Sequence, residues 1–220
     1  MTQNPPRLIQ FYRWMWRFWK ERRFVKFVET IQPSSNDILL DIGGYPFNWY
    51  RRGGLVKRVD TLNLNLQPID HIPDGAPEIH ALQGDARQLA MDNQSYDIVF
   101  SNSVIEHVGD FQDQIKFAKE ARRVGKRLWI QTPARSCPIE PHYLGPFIHW
   151  FPQSWHVPLA RWASIRGLTK SASIEELSDI ASNTRLLNKH EFESLFPDCD
   201  IVTEKLLFIF PKSYIAIRKN

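Results

Sequence analysis

The 220-residue sequence predicts a doubly wound α/β fold, in which helices cover both faces of a parallel sheet. Strand and helix signals alternate from residue 37 to residue 133, as a parallel sheet with helical crossovers requires. Two apolar segments near the C-terminus, joined by a short turn, predict an antiparallel hairpin. The length fits one ordinary domain with an added lid or terminal helix.

The composition excludes several classes of protein. With 43% hydrophobic and 24% charged residues, the chain is neither disordered, nor collagen-like, nor a coiled coil. It contains no run of about 18 uncharged apolar residues, so we expect no membrane-spanning helix. Two cysteines, Cys137 and Cys199, are too few for a disulfide scaffold, which indicates a reducing compartment. Arginines break the apolar N-terminus, so we expect no signal peptide. We therefore expect a cytoplasmic protein.

The first element is a helix predicted over residues 7–31, where aromatic and aliphatic residues recur at short spacing. Its apolar surface is wider than one stripe, so more than one face should be buried. We accordingly divide the chain into an N-terminal segment, residues 1–32, and a domain, residues 33–220. Residues 1–30 carry seven basic and two acidic side chains, whereas the other 190 residues carry 21 basic and 22 acidic ones.

This basic, aromatic helix has three interpretations. It caps a ligand pocket, or it lies on an anionic membrane surface through its tryptophans and arginines, or it contacts nucleic acid. The first is favoured. Because the rest of the chain is almost neutral, a nucleic-acid partner is the least favoured, and peripheral membrane contact through residues 7–31 stays open.

The next elements follow in order along the chain. Apolar runs predict strands at 38–42, 58–64, 79–86 (with its turn), 96–101 and 127–133. Helical spacing extends from residue 104 to residue 124. Residues 134–170 interrupt this rhythm with five prolines and many aromatics, which indicates an inserted lid. Beyond the lid, we expect helices at 173–182 and 189–196 and strands at 200–208 and 212–218.

Four of the predicted strands end in glycine or polar residues. In an open α/β sheet, ligands bind outside the carboxyl ends of the strands, near the point where the strand order reverses. These strand ends are therefore the candidate ligand site. They hold Asp41, Gly43 and Gly44; Asn63; Asp85 and Ala86; and Ser101 and Asn102.

Three segments carry a resemblance to a known family: LLDIGG at 39–44, GDARQLAMDNQSYDIVFSNSVIEHV at 84–108, and EARRVGKRLWIQTP at 120–133. They resemble class I S-adenosylmethionine-dependent methyltransferases, closest to the methyltransferase type 11 group. LLNKHEFESLFPD and PKSYIAIRK fit that group's closing helix and hairpin. The resemblance implies an enzyme with a Rossmann-like, mostly parallel sheet, an antiparallel C-terminal hairpin and S-adenosyl-L-methionine as cofactor.

The same resemblance implies roles for the first two strand ends. Gly43 and Gly44 would pass close to the methionine part of the cofactor, and Asp41 would organise their loop. Asn63 occupies the position where the family usually has an acidic residue for the ribose hydroxyls. Because an amide is a weaker, uncharged acceptor, this difference bears on cofactor affinity.

For the other two strand ends, the resemblance implies contacts with the base and the sulfonium. Asp85 would accept a hydrogen bond from the adenine amino group, and the Ala86 amide would serve a ring nitrogen. Ser101 and Asn102 would line the floor beneath the sulfonium.

The glycine loop also departs from the family pattern. Its sequence, DIGGYPFNW, lacks the usual later glycine, and Pro46 and Phe47 are bulky where the family is often small. This departure motivates an alternative function, a non-catalytic Rossmann-like binding or scaffold protein that has lost methyl transfer.

We expect methyl transfer to a small-molecule or lipid-linked acceptor, more often at oxygen than at nitrogen or carbon. A single in-line displacement needs alignment of the two reactants and no metal. His107, after the fourth strand, and His142, beside Glu140 in the lid, are the candidate catalytic residues for proton removal. A capping or packing role for His107 is equally open. The acceptor and the oligomeric state stay undetermined by the sequence.

The histidines and the aromatic residues of the lid each allow more than one interpretation. His142, His149 and His156 recur at a spacing of seven, but the intervening prolines prevent one helix from aligning them, so we expect no metal. The lid aromatics either form an apolar pocket or pack the lid onto the body. They are Tyr143, Phe147, Trp150, Phe151 and Trp155.

Overall fold

The computed structural model describes residues 7–69, 71–140, 142–169, 172–206 and 208–219. Its strands are β1 (Ile38–Ile42), β2 (Arg58–Asn63), β3 (Glu78–Gln83), β4 (Tyr96–Asn102), β5 (Gly125–Pro133), β6 (Ile139–Glu140), β7 (Gly145–Pro146), β8 (Asp200–Leu206) and β9 (Phe210–Arg218). The helices are α1 (Arg7–Ile31), α2 (Phe111–Val124), α3 (His156–Ala163), α4 (Ile165–Leu168), α5 (Ile174–Asn183) and α6 (Lys189–Leu195).

Seven strands form one sheet in the order β3-β2-β1-β4-β5-β9-β8. The first five are parallel, and β9 runs antiparallel to both β5 and β8. The predicted mostly parallel sheet with an antiparallel C-terminal hairpin is therefore confirmed. The strand order reverses at β1, where Asp41 pairs with Thr61 of β2 on one side and Phe100 of β4 on the other. This register brings the ends of the three strands to one edge.

Helix α1 covers one face of the sheet. Its last two turns bury Phe27 and Ile31 against Trp129 of β5 and Trp49 of the β1–β2 connection. Aromatic side chains of this size supply much of the burial energy of a core, and Phe27 meets Trp129 edge to face at 5.7 Å between centroids. No helix in the described part of the chain is long and apolar enough to cross a bilayer.

Helices α2 and α6 cover the opposite face. Phe117 and Ala121 of α2 and Phe192 of α6 are fully buried in the larger core. The α2 helix begins at Phe111 because the Asp110 carboxylate caps it, accepting a hydrogen bond from the Asp113 amide. The helix predicted to start at residue 104 is therefore shorter, and a single 3-10 turn, Ile105–His107, precedes it.

The predicted alternation of strand and helix is wrong for the first three connections. Within their described residues, β1–β2, β2–β3 and β3–β4 contain no α-helix, and only Pro46–Asn48 forms a 3-10 turn. Proline and glycine recur in the first two of these connections and disfavour helix there. Helix α1 instead supplies the cover for that face of the sheet.

The lid has a small core of its own. Tyr143, Ile148 and Ala160 pack together with Leu177, which belongs to α5. The lid unit thus extends past the predicted boundary at residue 170. Of the five lid aromatics, only Tyr143 is buried; the other four are 44–57% exposed. Most of the aromatic side chains of the lid therefore face solvent.

Candidate active site

The chain turns sharply after β1 at two glycines. Gly43 has φ +75°, in the left-handed region that glycine adopts without strain, and its amide donates to the Leu62 carbonyl at 2.8 Å. A Cβ at Gly43 would overlap the Val104 side chain, and a Cβ at Gly44 would overlap the Asp41 carboxylate. Both positions therefore require glycine for close packing, whether or not a ligand is bound.

Asp41 lies buried beneath this turn. Its carboxylate accepts a hydrogen bond from the Trp49 indole Nε1 at 2.7 Å, which holds the loop against β1. Burial raises the pKa of Asp41 to about 7, although the Trp49 hydrogen bond and the nearby Lys20 ammonium act in the opposite direction. The charge of Asp41 is thus sensitive to pH near neutrality.

Replacing Asp41 by asparagine is expected to reduce the pH dependence of stability. The unfolded carboxyl titrates near 3.8 and the folded one near 7, so in this window the folded protein holds a proton that the unfolded chain releases. Stability therefore falls as pH rises from about 4 to about 7, by at most about 1.4 kcal/mol per pH unit for one proton.

Urea unfolding of the wild type and D41N at several pH values measures this effect. Burial also raises the pKa of Glu106 to about 7, so the wild type loses stability at both groups, and the difference between the two proteins isolates Asp41. Asparagine can still accept the Trp49 hydrogen bond. If the free energy of unfolding changes with pH equally in D41N and the wild type, Asp41 ionises normally in the folded state.

Two other predicted residues support the glycine loop from neighbouring strands. The Asn63 side-chain amide donates to the Gly44 carbonyl at 2.8 Å. The buried Ser101 hydroxyl donates to the Ile42 carbonyl at 3.1 Å. The ends of β2 and β4 are thereby tied to the end of β1.

Asp85 and Ala86 follow β3 and are partly exposed. Both carboxylate oxygens of Asp85 accept hydrogen bonds from the Arg87 guanidinium, and one also accepts from the Arg87 amide at 2.9 Å. Hydrogen bonding to Arg87 lowers the pKa of Asp85. An adenine amino group would share this carboxylate with Arg87.

Arg23 of α1 is a site residue that the sequence analysis missed. It is buried, and its guanidinium donates to Asn102 Oδ1 at 2.7 Å, Gln131 Oε1 at 3.0 Å and Glu204 Oε2 at 2.7 Å. One side chain of the N-terminal helix thus links β4, β5 and β8. The sequence did contain a signal for its burial. Arg23 lies four residues from both Trp19 and Phe27, which places it on the inward face of the helix.

A cavity of about 1140 Å³ lies between α1, the glycine loop and the end of β4. This volume slightly exceeds the roughly 300–1,000 Å³ of typical small-molecule sites, so it can hold a cofactor and an acceptor together. Four of the eight predicted cofactor residues line it: Asp41, Gly43, Gly44 and Asn102. The other four lie outside its lining: Asn63, Asp85, Ala86 and Ser101.

The bulky residues of the loop leave this cavity open. Phe47 lines the cavity while 63% exposed, and its ring stacks on Tyr45 at 5.4 Å between centroids. Pro46 is buried away from the cavity lining. Neither residue fills the space beside the glycines.

The cavity wall is rich in cations. It contains five basic side chains, two from the β1–β2 connection and three from α1, against the carboxylates of Glu21 and Asp41. Arg52 pairs with Glu21 at 2.7 Å and Arg23 pairs with Glu204 at 2.7 Å. The remaining three cations are Arg17, Lys20 and Arg51. The basic character of the N-terminal helix is therefore directed in part toward this cavity.

His107 and His142 lie together, with ring centroids 4.8 Å apart and planes nearly perpendicular, but neither lines the cavity. His142 Nδ1 lies 2.6 Å from Glu140 Oε1. Burial lowers the pKa of His107. Burial also acts to lower the pKa of His142, but the Glu140 carboxylate outweighs it, and the pKa is raised. His149 and His156 bond to backbone carbonyls elsewhere in the lid.

Comparison with known proteins gives one family match. Residues 40–128 match the family model described as a methyltransferase domain. This range runs from β1 into β5 and includes all eight predicted cofactor residues. No curated protein matches the sequence.

Two solved structures with TM-scores of 0.50 or more share the fold at low sequence identity. The PH0226 protein from Pyrococcus horikoshii OT3 is 16% identical, with a TM-score of 0.52 over 92% of this chain and 89% of the other. The MccD protein is 9% identical, with a TM-score of 0.50 over 82% and 71%. A SAM-dependent methyltransferase from Methanosarcina mazei is 17% identical, with a TM-score of 0.47 over 84% and 92%.

Proposed function

We propose that this chain, whose residues 40–128 match the methyltransferase-domain family model, is a class I S-adenosylmethionine-dependent methyltransferase of the type 11 group and methylates an oxygen of a negatively charged acceptor. The acceptor is a small molecule or a lipid-linked one. The observation that carries this proposal is the cavity in which the glycine loop and Asn102 face the basic wall of α1.

The cofactor is S-adenosyl-L-methionine, and its methionine part would lie along Gly43 and Gly44 with Asn102 beneath the sulfonium. Asn63, Asp85 and Ala86 would meet the adenosine part at the neighbouring strand ends. When bound, the cofactor would supply an activated methyl group on its sulfonium, and these residues would align that methyl group with the acceptor oxygen. Positioning of this kind supplies up to roughly 7–11 kcal/mol, and no covalent enzyme intermediate is needed.

The charge of the cavity favours an acceptor that is already ionised. Arg17, Lys20 and Arg51 attract an anion, and no histidine of the described residues lines the cavity to remove a proton. A carboxylate or phenolate oxygen needs no general base, whereas a neutral hydroxyl does. The pair His107 and His142, our sequence candidates for proton removal, lies outside this lining.

Matched acceptor pairs test the proposed function. We expect methyl transfer from labelled cofactor to carboxylates to exceed transfer to the corresponding amides by at least about tenfold, which equals about 1.4 kcal/mol. Lys20→Met and Arg51→Met should raise KM for the acid with little change in kcat. Lys116→Met, on the exposed side of α2, is the matched control. Equal rates with acid and amide would contradict an anionic acceptor.

The open glycine loop supports a working cofactor site over the scaffold alternative. Phe47 lines the cavity without closing it, so the space beside the glycines is retained. Isothermal titration separates the two functions. Binding of S-adenosylhomocysteine supports the enzyme, and absence of heat at millimolar ligand supports a scaffold.

Two exposed aromatic side chains of α1 support a lipid-linked acceptor. Trp14 is 62% exposed and Phe18 is 47% exposed, and the Arg22 guanidinium lies 5.5 Å from the Phe18 ring centroid. Aromatic and basic side chains together favour the interface of an anionic bilayer. The proposed membrane contact is therefore the surface formed by Trp14, Phe18 and Arg22, since Phe27 and Ile31 belong to the core.

The double variant W14S/F18S is expected to lose most co-sedimentation with vesicles containing anionic lipid. The loss follows from removing apolar area at the interface, and high salt should weaken binding by the wild type as well. Trp162→Ser, which removes another exposed tryptophan from the lid, is the matched control. Deleting the whole helix is unsuitable because it removes core residues. Equal sedimentation of W14S/F18S and the wild type would exclude this contact.

A further inference from the structure

We propose that Glu106, His107 and His142 form a binding site for a divalent transition-metal ion such as Zn²⁺. One ligand atom of each residue lies within 4.8 Å of the others. Glu106 and His107 follow β4, whereas His142 comes from the lid, between β6 and β7. The spacing of the lid histidines alone predicts no metal, and the group forms only because the fold brings Glu106 and His107 beside His142.

Both histidines have one ring nitrogen already engaged. His142 Nδ1 lies 2.6 Å from Glu140 Oε1, and His107 Nδ1 lies 3.2 Å from the Asn183 carbonyl oxygen. Because both partners are acceptors, each Nδ1 carries the proton in the neutral imidazole, which leaves Nε2 as the free lone pair. Metal-binding histidines are commonly oriented in this way.

The Glu140 carboxylate is itself well fixed. It is 1% exposed, and its other oxygen accepts a hydrogen bond from the Tyr143 amide at 2.6 Å. A buried, oriented carboxylate behind an imidazole sets the tautomer and raises the basicity of the outer nitrogen. Glu140 is therefore a positioning residue for His142.

Glu106 provides an independent observation for a cation. Its side chain is fully buried; Oε2 accepts a hydrogen bond from the Thr132 hydroxyl at 3.0 Å, and Oε1 has no hydrogen-bond partner among the described residues. Burying an unpaired carboxylate oxygen is costly. A cation beside the two imidazoles would satisfy this oxygen.

The ligand set selects the class of ion. Two imidazole nitrogens and one carboxylate oxygen are the protein ligands of zinc sites that keep an open position. Imidazole disfavours Mg²⁺ and Ca²⁺ relative to transition metals. Bonds of about 2.0–2.2 Å place tetrahedral ligands roughly 3.4 Å apart, so ligand atoms within 4.8 Å of one another must approach by up to about 1.4 Å on binding. His107 is exposed and can make this movement.

Binding at this site would join the lid to the body of the protein. His142 belongs to the lid, and its backbone carbonyl accepts a hydrogen bond from Arg166 of α4 at 3.0 Å. Glu106 and His107 belong to the segment between β4 and α2. A bound ion therefore holds the lid to the carboxyl edge of the sheet, independently of any cofactor.

Zinc titration of the full chain, after treatment with a chelator, tests this proposal. We expect one Zn²⁺ per chain by calorimetry, no comparable response to Mg²⁺, and slower proteolysis of the lid when zinc is bound. Co²⁺ should give visible absorption bands without a thiolate charge-transfer band, which separates this site from Cys137 and Cys199. The H107A/H142A double variant should lower zinc affinity by at least 100-fold.

Conservative variants separate metal binding from folding. E106Q keeps the Thr132 hydrogen bond but removes the charge, so it tests the Glu106 carboxylate as a zinc ligand. E140Q should weaken zinc affinity by about 10–100-fold, acting only through His142. H149A and H156A, in the same lid, are the matched controls and should bind zinc normally. The proposal is overturned if the folded wild type binds no Zn²⁺ at 0.1 mM, or if H107A/H142A binds it as tightly as the wild type.

Discussion

Replacing Gly44 by alanine is expected to lower the affinity for S-adenosylmethionine by at least about 100-fold. The new Cβ would overlap the Asp41 carboxylate, which is buried and held by the Trp49 indole, so the loop has to move instead. The Gly44 carbonyl also accepts the Asn63 hydrogen bond, so the displacement extends to the end of β2. A loss of this size equals about 2.8 kcal/mol of binding free energy.

A glycine in the same connection provides the matched control. A Cβ at Gly54 would meet no atom within 4 Å, although its φ of +74° carries a strain of about 1–2 kcal/mol for alanine. Gly54→Ala should therefore lose some stability and keep its cofactor affinity, whereas Gly44→Ala loses affinity at a comparable melting temperature. Isothermal titration with S-adenosylhomocysteine measures the affinity of each variant, and thermal unfolding measures its melting temperature. A Gly44→Ala protein that binds within threefold of the wild type would place the cofactor elsewhere.

The sequence predicted the central sheet because its physical signals are local. Apolar runs ending in glycine or polar residues gave the strands from Ile38–Ile42 to Tyr96–Asn102 nearly to the residue, and parallel pairing brings such ends to one edge. Asp41, Gly43, Gly44 and Asn102 consequently line one cavity. Their roles toward a cofactor stay predictions.

The remaining site depends on pairings between distant segments, which local patterns do not contain. In the sequence, Arg23 is indistinguishable from a surface arginine. Only the fold shows that it meets Glu204, which lies 181 residues away along the chain. His107 and His142 meet only because the lid folds back beside β4. The absence of helices from the first three connections was not predicted for a different reason. Helix α1, which precedes the sheet, covers the face that crossover helices were expected to cover.

Replacing Arg23 by methionine is expected to destabilise the protein by about 3–5 kcal/mol, the usual cost of removing one partner of a buried ion pair. The guanidinium satisfies acceptors on Asn102, Gln131 and Glu204; of these, Gln131 is buried and the Glu204 side chain is 12% exposed. Burial alone would raise the pKa of Glu204, but the charges of Arg23 and Lys212 and the Ser213 hydrogen bond outweigh it and lower it to about 2. Methionine fills similar space without charge.

Chemical unfolding of four proteins determines how much of this loss is the ion pair: wild type, R23M, E204Q and R23M/E204Q. Because Glu204 titrates near 2 when folded and near 4.5 when unfolded, its contribution is complete above pH 4.5 and is lost as pH falls toward 2. R23M should show less of this acid dependence, and E204Q should remove Glu204's share of it. The double variant should recover part of the stability, since Glu204 no longer leaves a carboxylate without Arg23; only Lys212, 3.5 Å from Glu204, then loses its carboxylate partner.

Arg22, the exposed neighbour of Arg23, supplies the control for removing one positive charge from α1. Its contacts are with the rings of Phe18 and Trp19, so Arg22→Met should change stability by less than about 1 kcal/mol. If Arg23→Met is equally mild, the guanidinium is not what joins α1 to the sheet. If it is severe and the double variant recovers in part, the cofactor affinity of that double variant reports the combined loss of the Asn102 and Gln131 hydrogen bonds, because both oxygens then lack their Arg23 donor.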